Sequence, residues 1–426
     1  MLIRLKVENW KSFPLLEFSA IAGKERLHRE RLANVSRLGA RLLPIAAIYG
    51  GNASGKSNFF KALDFARQYV VDGVKPGQLI GVKPYALSME TLKSPTSFQF
   101  EILVDEVAYQ YSFTVSRNEV ISENLVEIRR TVEHELFDRQ RERISFGKKL
   151  NASESLAVVG QGTQKNLLFL TNSVFQKREE FRRVYDWFQK TLLLISPRAS
   201  CSAFDMYASS RCPFQPQNQE TLQEFDVGIE RIDTREVQSS QVPFQINVNI
   251  QRENAAQTED AVFQIGPYLV RKKDDKQTIH EMVAVHSMKD DETRETFFEL
   301  EDESDGTRRL LDLIPALTIL RDAQTSRVVF IDEIDRSLHH LLTQKLIEDY
   351  LNDCASASRS QLFFTTHDAL LMNQDLLRRD ELWLVEKEND RSSLISLDEF
   401  RIRHDKSLLN AYLYGRFGGV PKFLFR

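Results

Sequence analysis

The chain has 426 residues, with 57 basic against 61 acidic side chains, a formal charge of −4 and an apolar share of 42%. That length admits two domains or one large divided one, and the apolar share is that of an ordinary globular protein. The near-neutral balance excludes a global electrostatic grip on nucleic acid and leaves only local basic patches open.

Cys201, Cys212 and Cys354 are odd in number and too widely spaced for a zinc knuckle, so a reducing, cytoplasmic setting without a disulfide framework is expected. The opening MLIRLKVENW alternates like a strand, which argues against a secretory leader. No apolar run approaches the roughly 18 residues that span a bilayer, so no membrane association is expected.

In chain order, Leu2 to Glu8 and Leu15 to Phe18 read as strands around the turn NWKSFP. LLPIAAIY then forms a compact apolar run suited to a strand buried on both faces, and it feeds GGNASGKS and the helical spacing of NFFKALDFARQYV. From Ser97 to about Arg130 repeated alternation predicts antiparallel strands. Between Thr131 and Leu300 the signal weakens, with an amphipathic helix over Lys177 to Leu194 and a strand-like hairpin at Phe244 to Ile250 and Ala261 to Val270. The absence of sustained heptads argues against a long coiled coil. The last part alternates again: helix after Gly306, strand at Arg327 to Ile331, helix over Leu338 to Leu351, then strands at Gln361 to Thr365 and Glu381 to Glu386. Such alternation implies a parallel sheet.

Gly50-Gly51-Asn52-Ala53-Ser54-Gly55-Lys56-Ser57 fits G-x-x-x-x-G-K-[ST] in the required context of strand before and helix after. Glycines let backbone N–H groups turn inward around a phosphate, and the following helix presents its N-terminal donors to the same charge. Lys56 is expected to reach the β/γ-phosphates and Ser57 to ligate Mg2+. Val328-Val329-Phe330-Ile331-Asp332-Glu333 is an apolar strand ending in two acids, the Walker B pattern, with Asp332 assigned to the metal and Glu333 to the attacking water. Thr365-Thr366-His367 ends the next strand, where parallel sheets gather ligands, and His367 is the candidate γ-phosphate sensor. The adjacent His339 and His340 point to different faces and are not expected to bind metal.

In this order, the phosphate loop, ESDGTRRLLDLIPAL, VVFIDE and TTH resemble ABC-type ATPases of the SMC and RecF branch. They are most similar to compact bacterial ATPases of the RloA and overcoming-lysogenization-defect type found in phage-defence systems. LIRLKVENWKSF resembles that group's opening strand and turn, and LYGRFGGVPKF its ending. The resemblance covers roughly residues 1–120 and 295–426. It implies an α/β P-loop NTPase, an ABC-type head with a divided core: residues 1–130, an inserted, mainly helical or irregular region over 131–295, and residues 296–426. It also implies ATP and Mg2+ as ligands, with Asn58, Lys11 and Ser12 close to the nucleotide. Ser304, Gly306 and Thr307 would contact ATP held by a second copy, so that two ATPs are sandwiched in a homodimer or higher oligomer. Ser337-Leu338-His339 falls where relatives carry a loop ending in Asp. Gln99 and Gln164 are the candidates for the lid glutamine.

Three functions fit this reading. The first is an antiphage ATPase that holds or releases a separate effector such as a nuclease, since the chain carries no nuclease constellation of its own. The second is a RecF-like repair ATPase that binds nucleic acid directly, supported only by Arg139-Arg141-Arg143 with Lys148-Lys149 and by Arg401-Arg403-Lys406. The third is a nucleotide-gated scaffold with little turnover.

Overall fold

The computed structural model describes residues 1–129, 132–148, 150, 154–197, 216–225, 228–256, 261–273, 276–288, 291–322, 325–400 and 408–418. Cys201, Cys212, Lys149, Arg401, Arg403, Lys406 and the last part of the LYGRFGGVPKF tail lie outside them. The chain divides into two compact units: Met1–Leu194 with Ala323–Ile334 and Ile347–Arg426, and Ile195–Asp322 with Asp335–Leu346.

The first unit opens with the expected hairpin, β1 (Leu2–Trp10) and β2 (Phe13–Ser19). Its turn requires left-handed backbone at Asn9 (φ 60°) and Lys11 (φ 47°). Asn9 is held there because its amide donates to the carbonyls of Thr91, Ser94 and Pro95 at 2.7, 2.9 and 3.1 Å. Next come β3 (Ala33–Val35), β4 (Ala40–Leu42), β5 (Ile45–Tyr49), α1 (Lys56–Val71) and α2 (Met89–Lys93). β6 (Thr96–Val104), β7 (Val107–Val115), β8 (Val120–Ile128), β9 (Glu133–Gln140) and β10 (Arg143–Phe146) extend the hairpin into a seven-stranded antiparallel sheet, ordered β10-β9-β8-β7-β6-β1-β2. Its inner face packs on α1 through aromatic contacts such as Trp10 to Phe65 (5.3 Å) and Phe98 to Phe65 (5.4 Å).

After α3 (Glu154–Gln161) and α4 (Phe169–Phe175), the predicted helix over Lys177 to Leu194 is in fact three pieces. They are α5 (Arg182–Asp186), a π-turn over Trp187–Thr191 and the strand β11 (Leu192–Ile195). The LLLI run explains the difference, because a short apolar run satisfies a fully buried strand as well as a helix face. Here it forms an edge of the first unit's second sheet.

The second unit holds α6 (Pro216–Glu224), β12 (Arg231–Val237), α7 (Phe244–Ala256), β13 (Ala261–Ile265), β14 (Tyr268–Lys273), β15 (Lys276–Met288), β16 (Asp291–Glu299) and α8 (Asp305–Arg321). The five strands form one antiparallel sheet, so this region is richer in strand than its sequence suggests. Phe244 to Ile250, predicted as a strand, is the first half of α7: Ile246 and Ile250, four apart, both face a small core with Val242, Val270 and Ile279. The chain then passes through β17 (Val328–Ile331), α9 (His340–Asn352), β18 (Gln361–Thr365), β19 (Leu382–Glu388), β20 (Arg391–Ser396) and α10 (Leu408–Leu413). The first unit's second sheet is ordered β11-β17-β18-β5-β19-β20. The phosphate-loop strand and the acid-bearing strand, far apart in sequence, thus share one sheet, which is the expected divided α/β core.

Candidate nucleotide site

β17, β18, β5 and β19 run parallel, with Ile331 beside Phe364, Thr365 beside Ile48 and Leu384 beside Tyr49. Asp332, Thr366 and Gly50, which follow β17, β18 and β5, therefore emerge along one carboxyl edge, level with Val385 of β19, where open α/β sheets bind ligands. The sequence motifs of the first unit converge there, with β18 seated between the other two motif strands.

The loop after β5 is fixed by close packing. A Cβ on Gly50 would lie 2.6 Å from the Val385 carbonyl oxygen, and one on Gly55 (φ 125°) would lie 2.6 Å from Ser392 Oγ and 3.0 Å from Ser12 Oγ. Ala53 adopts a left-handed φ of 61°, which helps turn the loop. Ser392 donates its hydroxyl to the Ser54 carbonyl, and its N–H donates to Ser12 O at 2.8 Å. Asn58 donates its amide to Ser12 Oγ at 2.9 Å, while Trp10 Nε1 donates to Asn58 O at 2.8 Å. Asn58 and Ser12 thus brace the loop against the first hairpin. Lys11 lies over the Trp10 ring, and burial, aided by the charges of Lys61 and Lys83, pulls its ammonium below its ordinary value.

Several features of this loop suit a phosphate chain. Ser54 Oγ is buried with no hydrogen-bond partner among the described residues. A buried hydroxyl in that state costs roughly 1–3 kcal/mol unless a ligand satisfies it. α1 has Gly55 at its N-cap, no side-chain cap and no acid in its first turn, so its positive end is left for an anion. Lys56 is buried and folds back to donate to Gly50 O (2.6 Å) and Gly51 O (3.3 Å). Asn52 and Ala53 are exposed at the loop tip.

Across the edge, Asp332 is 2% exposed. Glu333 has a left-handed φ of 54°, a strained conformation for a non-glycine residue. Thr365 organises both: its Oγ1 donates to Asp332 Oδ1 at 2.6 Å and accepts from Glu333 N–H at 2.7 Å, and its carbonyl accepts from Ile334 N–H at 3.0 Å. Thr366 N–H donates to Ile48 O at 3.1 Å, tying the same strand end to the phosphate-loop strand. His367 follows and is exposed. Asp332 and Ser57 each carry hard oxygen atoms of the kind a phosphate-bound divalent ion uses.

The family model described as "AAA domain, putative AbiEii toxin, Type IV TA system" matches residues 45–373, a span that runs from β5 through His367. The chain belongs to this AAA-domain ATPase family. No curated protein matches it. Among solved structures, the SMC head domain from Thermotoga maritima is similar over 94% of this chain and 99% of that one, at 12% identity and a TM-score of 0.36.

In this AAA-family chain the signature stretch lies in the second unit. Ser304 is the N-cap of α8, where its Oγ accepts from Thr307 N–H at 3.1 Å and shares a hydrogen with Thr307 Oγ1 at 2.8 Å. A Cβ on Gly306 would lie 2.8 Å from the Ser337 carbonyl oxygen, so glycine has a packing reason there. His339 Nδ1 accepts from Leu341 N–H at 3.2 Å at the start of α9. Gln99 sits within β6 and donates to Gln110 at 3.3 Å, and the Gln164 carbonyl accepts from Arg139 at 3.1 Å.

Two residues at this edge have roles that no sequence motif encodes. Thr365 stands inside a recognised string, but its role depends on which strand lies beside it. Ser392 had no signal at all, because a lone serine early in a hairpin strand is ordinary. No group of His, Cys, Asp and Glu among the described residues forms a separate metal site, and no described helix is long and apolar enough to cross a membrane.

Proposed function

We propose that this protein binds ATP with Mg2+ at the carboxyl edge of its parallel sheet and hydrolyses it slowly, as a switch between associated states. The observation that carries the nucleotide half is the buried, unpartnered Ser54 hydroxyl inside a loop whose lysine is held on its own carbonyls. A phosphate chain would satisfy the first and draw away the second. Lys56 would bind the β/γ-phosphates, Ser57 and Asp332 would hold the metal, and Glu333 would take the proton of the attacking water with His367 at the γ-phosphate. The metal's own contribution is to neutralise charge on the transferring phosphoryl group. Ser304, Gly306 and Thr307 would meet ATP held by a second copy, making hydrolysis dependent on dimerisation.

The biological reading that best fits is an antiphage regulator of a separate effector, such as a nuclease, in the manner of the RloA and overcoming-lysogenization-defect proteins it resembles. The toxin named in the family description supports a role in such conflict systems. Direct nucleic-acid binding is supported less. Arg139, from one of the two basic clusters behind it, is 3% exposed and paired with buried Glu123 at 3.6 Å, so it does not face a phosphate backbone.

Phosphate release and ATP-dependent assembly, measured together, test the proposal. Wild type should turn over ATP only with a divalent ion, Lys56→Ala should lose binding, and Glu333→Gln should bind ATP and accumulate as a dimer. Unchanged turnover in Glu333→Gln would remove its assigned role, and an ATP-loaded monomer at micromolar concentration would remove the sandwich. Co-purification of a neighbouring gene's nuclease tests the effector.

A further inference from the structure

The TTH string has two threonines, and the mechanism above uses neither. Thr365 is fully buried, and its single hydroxyl both donates to Asp332 Oδ1 and accepts from Glu333 N–H. Those two partners have separate assignments at the nucleotide site, so one side chain fixes both at once. The 2.6 Å bond restrains the rotation of the Asp332 carboxylate. The backbone of Glu333 is held at φ 54°, a region a glutamate leaves unless something restrains it. The carbonyl of Thr365, bonded to Ile334 N–H, completes a three-point clamp on the Asp-Glu-Ile turn. The clamp stands on the strand between β5 and β17, so it is rigid where a loop residue would not be.

We infer that Thr365 is a positioning residue: its hydroxyl sets the orientation of Asp332 for the divalent ion and holds Glu333 in the strained backbone geometry that aims its carboxylate. This rests on the roles proposed above for Asp332 and Glu333. Valine at this position keeps the volume, removes both hydrogen bonds and places a methyl against a buried carboxylate. Serine keeps the oxygen. The residue just outside a metal ligand commonly matters by about 10- to 100-fold in affinity or activity.

The experiment compares Thr365→Val, Thr365→Ala and Thr365→Ser in the full chain. Two readouts are used: steady-state ATP turnover, and Mn2+ binding to the nucleotide-loaded protein followed by the ion's paramagnetic resonance. Thr365→Val should lose about 10- to 100-fold in kcat with KM for ATP within about threefold, and should bind Mn2+ about 10-fold more weakly. Thr365→Ser should restore both to within about threefold of wild type. Thr365→Ala removes the hydroxyl without crowding Asp332 and is read the same way where the valine variant fails to fold. A folded valine or alanine variant with wild-type turnover and Mn2+ affinity overturns the inference, as does a folded serine variant as impaired as valine. Absence of turnover in wild type would instead count against the proposed hydrolysis, and Mn2+ binding would still decide the role of Thr365.

Discussion

Replacing Gly55 by alanine probes the phosphate loop at its tightest point. The new Cβ would lie 2.6 Å from Ser392 Oγ, 3.0 Å from Ser12 Oγ and 3.1 Å from Ser392 Cβ. Neither serine can swing away freely, because one donates to the Ser54 carbonyl and the other accepts from Asn58. The backbone φ of 125° adds a conformational cost of about 1–3 kcal/mol for any residue with a Cβ. Overpacking adds about 1–3 kcal/mol, less whatever the loop recovers by shifting. A net cost of about 3 kcal/mol on the phosphate-competent loop corresponds to about 100-fold in nucleotide affinity. The cost falls on a local loop, so the melting temperature should move by only a few degrees. Fluorescent-nucleotide titration reads the affinity and thermal melting reads the fold. Adding Ser392→Gly should return the steric share, about tenfold in affinity, and leave the share due to φ. A Gly55→Ala protein that binds nucleotide within threefold of wild type would refute this account of the loop.

Glu123 accepts from the N–H groups of Phe169 (2.6 Å) and Leu170 (2.9 Å) and from the Tyr111 hydroxyl (2.9 Å), beside buried Arg139. Glu123→Ala should cost about 3–5 kcal/mol in denaturant unfolding of the first unit, because it strands that arginine's charge. Burial pushes the Glu381 carboxyl from 4.5 up to about 8, so between those values the native state holds a proton that the unfolded chain has released. Stability contributed by this group is therefore present at low pH and is lost as pH rises through that window. Glu381→Gln preserves an oxygen acceptor for the Arg378 N–H and cannot ionise, so its stability relative to wild type should grow from pH 5 to pH 8. A difference that stays constant with pH, in parallel denaturant titrations, would contradict this.

The nucleotide chemistry was legible because it is written in contiguous strings. A phosphate loop needs its glycines, lysine and hydroxyl within eight positions, and each strand here ends in its polar residue directly after an apolar run. What could not be read is whatever depends on a neighbour from elsewhere in the chain. Thr365 matters because β18 lies beside β17, and Ser392 matters because β20 begins against Gly55. Arg139 looked like part of a basic patch because three arginines alternate along one segment. Arg139 lies within β9 and points inward to Glu123 at 3.6 Å, whereas β9 ends at Gln140 and Arg141 sits in the following left-handed turn (φ 54°), exposed, with Glu119 at 3.5 Å. The two misread segments share a cause: at Leu192 to Ile195 and at Phe244 to Ile250, apolar spacing fits both periods, and only the core on the receiving side decides.

The signature stretch poses the opposite problem, since its residues already have complete local reasons. Ser304 caps α8, and Gly306 clears the Ser337 carbonyl, so their presence alone does not argue for contact with a second copy's ATP. A variant can separate the two. Aspartate caps helices as well as serine does, since its carboxylate accepts from the same N–H group and favours the positive helix end. Ser304→Asp should therefore keep the Thr307 N–H satisfied and leave melting unchanged, while setting a negative charge where a triphosphate would have to approach. Each protomer would still bind nucleotide at its own phosphate loop. If Ser304 acts in trans, ATP-dependent dimers should disappear and turnover should fall to the level of the isolated protomer. The dimer loss should be visible by light scattering at protein concentrations where wild type assembles. A Ser304→Asp protein that dimerises and turns over ATP like wild type would assign Ser304 to the helix alone.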